Sequence, residues 1–212
     1  MKRIFAIISV FTICCVLSAQ TYWNGARADR FVSIGMKGGV NFSKLHHSDY
    51  NTDVNYKLGY HIGVEFDINL CQSLSINSGA YFIQKGYKLE VPDAQIKVHD
   101  DAKWIEVPVL LSYRIPLSDA TKFQLNLGPY FSYGLRGKQK MDYAGGTTEM
   151  DSFDKYDGLK RADVGLSYGC AVSVSQLLFS VSYENSLIKL GQRSSDDSKN
   201  RCIFISMGYY FK

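Results

Sequence analysis

The chain has 212 residues and a formal net charge of +4 at pH 7, from 24 lysine and arginine residues against 20 aspartate and glutamate residues. This length suits one domain, and so small a charge without a basic stripe predicts no nucleic-acid partner. Tyrosine (15), phenylalanine (12) and glycine (18) are abundant beside only 4 prolines, which indicates a β-rich chain.

The chain begins with the pattern of a cleaved signal peptide. Lys2 and Arg3 form a short basic region, and an apolar run follows from Ile4 to Leu17. This run is too short for a transmembrane helix, and no later stretch approaches 18 apolar residues, which excludes a helical membrane protein. Cleavage is predicted after Ala19, with Ala28 as the alternative. We therefore divide the chain into a signal peptide (1–19), an N-terminal periplasmic segment (20–30) and one β-domain (31–212).

Beyond residue 30, apolar and polar residues alternate with a period of two. The clearest case is Lys122 to Arg136, where Phe123, Leu125 and Leu127 fall on one face. Successive side chains of a β-strand point to opposite faces, so each such segment predicts a strand. The eight predicted strands cover about residues 31–42, 57–68, 73–86, 103–115, 122–136, 161–174, 177–187 and 201–211.

The connections between these strands alternate in length. Residues 43–56, 87–102, 137–160 and 188–200 are long and polar, whereas the links near 69–72, 116–121 and 175–176 are short. Transmembrane barrels have short periplasmic turns and long external loops. The pattern therefore predicts an all-β fold, an eight-stranded antiparallel up-and-down transmembrane β-barrel with both termini in the periplasm. A soluble secreted barrel is the alternative.

Charged residues interrupt the polar face of the strands. In a barrel of eight strands this face lines a narrow lumen that side chains fill. An unpaired buried charge is costly, so we predict a salt-bridged plug rather than an open pore. Outward aromatic residues at the end of the last strand, Tyr209 and Phe211, are the predicted periplasmic aromatic anchor. The predicted lumen charges are Lys37, Glu65, Lys85, Glu106, Arg114, Arg136, Asp163 and Glu184.

Four segments, taken in order, resemble the PorT-like outer membrane β-barrel family. They are Gly35–Ser43, Trp104–Leu111, Leu127–Tyr133 and Asp163–Leu166. The resemblance spans about residues 31–211 and implies a small exported barrel in the cell outer membrane. It implies no single activity. Lys212 departs from the aromatic residue that often ends such chains.

Two polar loop clusters could hold a metal ion, and we interpret both as solvated loop surface, so that no metal or cofactor is predicted. Cys71, Cys170 and Cys202 have no CxxC spacing and are odd in number, which predicts neither a zinc site nor a disulfide framework. The two clusters are Asp151, Asp154 and Asp157 in the longest loop, and His46, His47 and Asp49 in the first.

The expected function is that of a structural or interaction barrel without enzyme activity. The expected partners are outer-membrane lipid, the barrel-assembly machinery, and a protein or ligand at the long external loops. The alternatives are a narrow transport or secretion-associated component, a soluble ligand-binding barrel, and a lipid-modifying enzyme. The enzyme would need a base such as His61, which shares the polar face of its strand with Glu65.

Overall fold

The structure is a computed structural model that describes six ranges of the chain: 31–46, 54–91, 96–143, 146–154, 158–191 and 198–211. The predicted signal peptide (1–19), the segment 20–30, and the candidates His47, Asp49, Asp157 and Lys212 lie outside the described residues. In the described ranges, no helix is long and apolar enough to cross a membrane.

Within the described ranges the chain forms eleven strands. They are β1 (Val32–His46), β2 (Val54–Asn55), β3 (Lys57–Asn69), β4 (Leu74–Lys85), β5 (Lys88–Val91), β6 (Ile96–Pro116), β7 (Thr121–Tyr143), β8 (Gly146–Asp151), β9 (Ala162–Val174), β10 (Leu177–Ser186) and β11 (Lys199–Tyr210).

Eight of these strands close into a barrel. Their order around the wall is β6-β4-β3-β1-β11-β10-β9-β7, and β7 pairs back onto β6. All of these pairings are antiparallel, including β1 with β11, which joins the first and last strands. The predicted fold class, an eight-stranded antiparallel up-and-down barrel, is confirmed.

The two faces of the wall differ in chemistry, as the alternation predicts. Outward side chains such as Ile62, Val107 and Leu127 are apolar and exposed, whereas inward ones such as Glu65 and Glu106 are polar and buried. An exposed apolar band around a closed sheet is the surface that a bilayer requires, because a closed sheet leaves no unpaired strand edge in lipid.

The two longest strands extend beyond the predicted bounds. β6 and β7 pair from Lys97 with Asp142 down to Pro116 with Lys122, and β5 and β8 flank their outer parts. The prediction that 87–102 and 137–160 are loops throughout is therefore wrong. The inward side chains of β6 here are buried but include Asp100 as well as Val98, and those of β7 beyond Gly137 are exposed or half-buried. The sequence of this outer hairpin therefore lacks the strict apolar alternation that marks a membrane strand.

A β-bulge lies in the wall where β6 meets β7. Trp104 pairs with Gly134 and Lys103 pairs with Arg136, so Leu135 is an extra residue on β7. One extra residue moves the following side chains to the opposite face. Arg136 is consequently exposed on the outer wall, and its assignment to the lumen is wrong.

Candidate functional site

The centre of the lumen holds one lysine between two carboxylates. Lys85 Nζ on β4 lies 2.6 Å from Glu106 Oε2 on β6 and 3.0 Å from Glu184 Oε2 on β10, and all three side chains are buried. The Lys85 ammonium also lies 5.1 Å from the ring centroid of Tyr130 and 5.5 Å from that of Phe204. Because β4 and β10 stand four strands apart in a ring of eight, this cluster bridges opposite walls.

A second cluster surrounds Glu65 on β3. Its carboxylate forms an ion pair with Lys37 of β1 and accepts hydrogen bonds from the hydroxyls of Tyr81 (2.7 Å) and Tyr210. Four strands thus contribute to one charged site. Its two tyrosines could not be predicted from the sequence, because tyrosine is common on both faces of the wall.

Towards the end with the short turns, Arg114 of β6 forms an ion pair with Asp67 and donates a hydrogen bond to Asn69, both on β3. Neither partner was among the predicted lumen residues. The signal for Asp67 is its place two residues after Glu65, since residues i and i+2 of a strand share a face.

Asp163 is buried in the wall near the outer end of β9. It accepts hydrogen bonds from Ser186 Oγ at 2.6 Å and from the hydroxyl of Tyr130 at 3.3 Å. The structure therefore places Asp163 with Lys37, Glu65, Lys85, Glu106, Arg114 and Glu184 on the inner face, in separate groups along the bore, while Arg136 lies outside.

His61 is the base considered for an enzyme. A hydrogen bond of 2.8 Å joins its Nε2 to Ser206 Oγ across β1, and its ring meets that of Phe204 edge-on at 5.1 Å. Both polar residues are buried. Among the described residues, Nδ1 of His61 has no hydrogen-bond partner, so no acid orients the ring as in a nucleophile–base–acid triad.

A hydrophobic cap covers the outer mouth of the barrel. Phe153, from the segment after β8, packs edge-on against Trp104 of β6 with ring centroids 5.2 Å apart. The guanidinium of Arg161 lies 4.9 Å from the Phe153 ring on another side. The buried residues of the cap are Leu45, Ala102, Trp104, Phe153, Leu159 and Leu190.

Glycines on β7 make room for this cap. A Cβ at Gly134 would collide with the ring of Phe153, and one at Gly137 would lie 2.5 Å from the side chain of Ser152. The prediction that this stretch is solvated loop surface is wrong for Phe153 and Leu159, which are buried. The sequence does not single out Phe153 and Leu159, because isolated apolar residues among polar ones form no periodic pattern.

The two aspartates of this cluster that the structure describes, Asp151 and Asp154, lie at the surface of the cap. Asp151 is exposed and accepts a hydrogen bond from the Phe153 backbone N–H at 2.9 Å, and Asp154 is half-buried. No group of three possible metal ligands gathers within the described ranges. Asp100, beside Ser152, is buried at the mouth, and this burial raises the pKa of its carboxyl to about 6.

The end of the barrel with the short turns carries the two outward aromatics at and just after the end of β11. Tyr209 and Phe211 are exposed, with ring centroids 5.8 Å apart, and the Tyr209 hydroxyl donates to Gln176 Oε1 at 2.9 Å. The three cysteines of the described part are free: Cys71 is half-buried, Cys170 is exposed and Cys202 is buried.

Comparison with known proteins gives a family match over most of the chain. Residues 18–192 match the family described as the outer membrane protein beta-barrel domain. The solved structure of the outer membrane protein OprG from Pseudomonas aeruginosa aligns with a TM-score of 0.50 and 13% identity, covering 88% of this chain and 98% of that chain. The attachment invasion locus protein Ail of Yersinia pestis gives a TM-score of 0.47 and 17% identity, covering 86% and 100%. No curated protein matches the sequence.

Proposed function

The chain belongs to the outer membrane protein β-barrel domain family and resides in the cell outer membrane, and from this premise we propose that it is a closed barrel of structural or interaction type. In this proposal side chains plug the lumen, and the external loops contact partners or ligands. The observation that carries the proposal is the cluster of Lys85, Glu106 and Glu184 across the bore.

The energetics of that cluster support a plug. A solute that passed through the bore would have to displace the Lys85 ammonium from its two carboxylates. Removing one partner of a buried ion pair costs about 3–5 kcal/mol, because the remaining charge stays buried without a counter-charge. Thermal motion alone rarely supplies that energy, so the cluster favours a closed state over free diffusion.

The cap at the outer mouth supports the same conclusion independently. Phe153 and Leu190 are buried against Trp104 above the charged cluster. An apolar seal and an ionic plug in series oppose both ions and neutral solutes, because ions avoid the apolar layer and both layers obstruct the bore.

The positions of three surfaces on the barrel suggest three kinds of partner. We propose membrane lipid around the apolar band, the barrel-assembly machinery at the strand that carries Tyr209 and Phe211, and a protein or ligand at the outer hairpin of β6 and β7. We infer membership of the PorT-like branch from the four matching segments. No enzyme activity is proposed, because His61 and Ser206 are both buried in the wall.

Recording from planar phospholipid bilayers tests the proposal. The protein should insert and show no steady conductance, because the plug and the cap are in series. Insertion is verified beforehand by vesicle flotation and by the altered electrophoretic mobility of the unheated barrel. Replacing Lys85, Glu106 and Glu184 together by alanine in a chain that also carries Phe153→Ala should produce measurable leak, because the cap obstructs the bore even when the charged cluster is removed. Stable single-channel steps from the unaltered protein would contradict the proposal and favour the transport alternative.

A further inference from the structure

Two cations face each other on the outside of the barrel. Lys103 of β6 and Arg136 of β7 are register partners, and both side chains are exposed. The β-bulge at Leu135 brings this pair together, since without the extra residue Arg136 would point into the lumen. Side chains opposite each other on neighbouring strands have Cβ atoms about 5 Å apart, and like charges at that separation destabilise a sheet.

The described surroundings do not neutralise this pair. Among the described residues neither Lys103 nor Arg136 has an ion-pair partner. Asp101, the exposed carboxylate two residues before Lys103 on β6, is engaged by Lys57 at 2.5 Å and by Gln84 at 2.7 Å. The positive charge of the pair can therefore attract an external anion, and binding of that anion would relieve the repulsion between the two cations.

Arg161 stabilises the backbone of the bulge. The guanidinium of Arg161 donates hydrogen bonds to the backbone carbonyls of Gly134 at 3.0 Å and Leu135 at 2.9 Å. These carbonyls belong to the bulge, where the ladder between strands is interrupted. Arg161, whose guanidinium also lies 4.9 Å from the Phe153 ring, thus stabilises the bulge that turns Arg136 outward.

The position of the pair points to the class of anion. Immediately towards the membrane, Ile105 and Leu135 are apolar and exposed on the same outer wall. Lys103 lies two residues beyond Ile105, about 7 Å along the strand. Because this is the end with the long connections, the cations stand where the apolar core of the outer leaflet meets its headgroups.

From this juxtaposition we infer that Lys103 and Arg136, supported by Arg161, bind the phosphorylated headgroup of a lipid in the outer leaflet. Arginine presents a planar fork that matches two phosphate oxygens, and lysine adds a point charge. The acyl chains of the same lipid lie along the apolar band below. This site goes beyond the closed-barrel proposal and does not depend on it, because the lumen takes no part.

The test measures lipid binding to the full chain in phosphatidylcholine nanodiscs that contain diphosphoryl lipid A as the probe. Retained lipid A is quantified by native mass spectrometry as its content in the nanodisc is varied. The variant with Lys103→Gln and Arg136→Gln should bind at least about tenfold more weakly, since each cation near an anionic lipid surface strengthens binding by about fivefold. Raising the salt concentration should reduce the difference.

The matched control is the variant with Lys138→Gln and Lys140→Gln. It removes the same charge from β7, but from side chains already paired with Glu149, and should bind lipid A nearly as the unaltered protein does. Arg136→Lys should retain part of the affinity, which separates loss of the site from loss of the fold. Equal weakening in both double variants would overturn the inference in favour of a diffuse charge effect. Displacement of lipid A by equimolar inorganic phosphate would overturn it in favour of a free-anion site.

Discussion

Among the residues that the structure describes, Lys85 is the one ammonium shared by two buried carboxylates. The effect of a substitution in this cluster therefore depends on whether it removes a positive or a negative charge. Replacing the lysine leaves two negative charges, Glu106 and Glu184, close together without a cation. Replacing one carboxylate leaves a simple one-to-one pair. The two changes should therefore act in opposite ways although they affect the same contact.

We expect Lys85→Met to lower the free energy of unfolding by about 3–5 kcal/mol, because it leaves buried carboxylates unpaired. Glu184→Gln should change it by less than about 1 kcal/mol or raise it, because the amide still accepts a hydrogen bond. Urea unfolding in phospholipid vesicles measures both. Lys122→Met, at an exposed position on β7, is the control, and a Lys85→Met variant as stable as this control would contradict the role of the cluster.

Asp100, at the mouth of the barrel, should make the free energy of unfolding depend on pH. Burial raises the pKa of its carboxyl from 3.8 to about 6, so the folded state favours the neutral acid. Below pH 3.8 the group is protonated in both states and the stabilisation is complete. As pH rises towards 6, the unfolded chain ionises first, and stability is lost.

The loss should reach about 3 kcal/mol at neutral pH, from 1.36 kcal/mol for each pKa unit. Asp100→Asn should remove the part of the stability loss between pH 4 and pH 6 that comes from this carboxyl, and should make the barrel more stable at pH 7. Unfolding series at several pH values measure the effect. Asp119→Asn, in an exposed turn, should leave the pH profile unchanged, and identical profiles for the two variants would refute the assignment.

At the scale of elements, β7 combines three features within four residues. Gly134 leaves space for Phe153, the bulge at Leu135 turns Arg136 outward, and Gly137 leaves space for Ser152. One short stretch of strand thus forms the seat of the cap on the inside and the cationic pair on the outside. A change in residues 134–137 should therefore affect both the cap over the lumen and the cationic pair on the outer wall.

Trp104 reports on the cap, because the chain has only two tryptophans and Trp23 precedes the barrel. In a Trp23→Phe background, Phe153→Ala should shift Trp104 emission to longer wavelength and increase its quenching by iodide, since the indole loses its apolar neighbour. The large-to-small change should destabilise the cap by about 3 kcal/mol. Met150→Ala, exposed on β8, is the control. Unchanged emission in the Phe153 variant would show that the cap does not shield Trp104.

At the scale of the whole molecule, closure makes every other feature possible. The pairing of β1 with β11 removes the edges of an apolar sheet, and only a closed wall brings β4 and β10 face to face. The barrel thus has one continuous apolar exterior, one charged interior and one apolar cap. Each of these environments is a consequence of where the wall closes.

Several of these features follow from local pattern. The strand count, the pairing of neighbours and the short turns could be predicted because a strand repeats every two residues and hairpin links are short. The inward placement of Lys37, Glu65 and Glu106 follows from the same alternation. The outer parts of β6 and β7 could not be predicted in this way, because the buried Asp100 interrupts the apolar inner face of β6 and the side chains of β7 beyond Gly137 are exposed or half-buried.

The alternation of residues along the chain is sufficient to predict a β-barrel with an apolar exterior and a charged interior, since the geometry of a strand converts alternation into two faces. Which charges meet depends on the folded barrel, because Lys85 and Glu184 lie 99 residues apart and come together through closure of the wall. The folded barrel also determines that Arg136 faces outward and that Phe153 closes the mouth. A bulge and a packed loop depend on distant partners, and no periodicity along the chain records those partners.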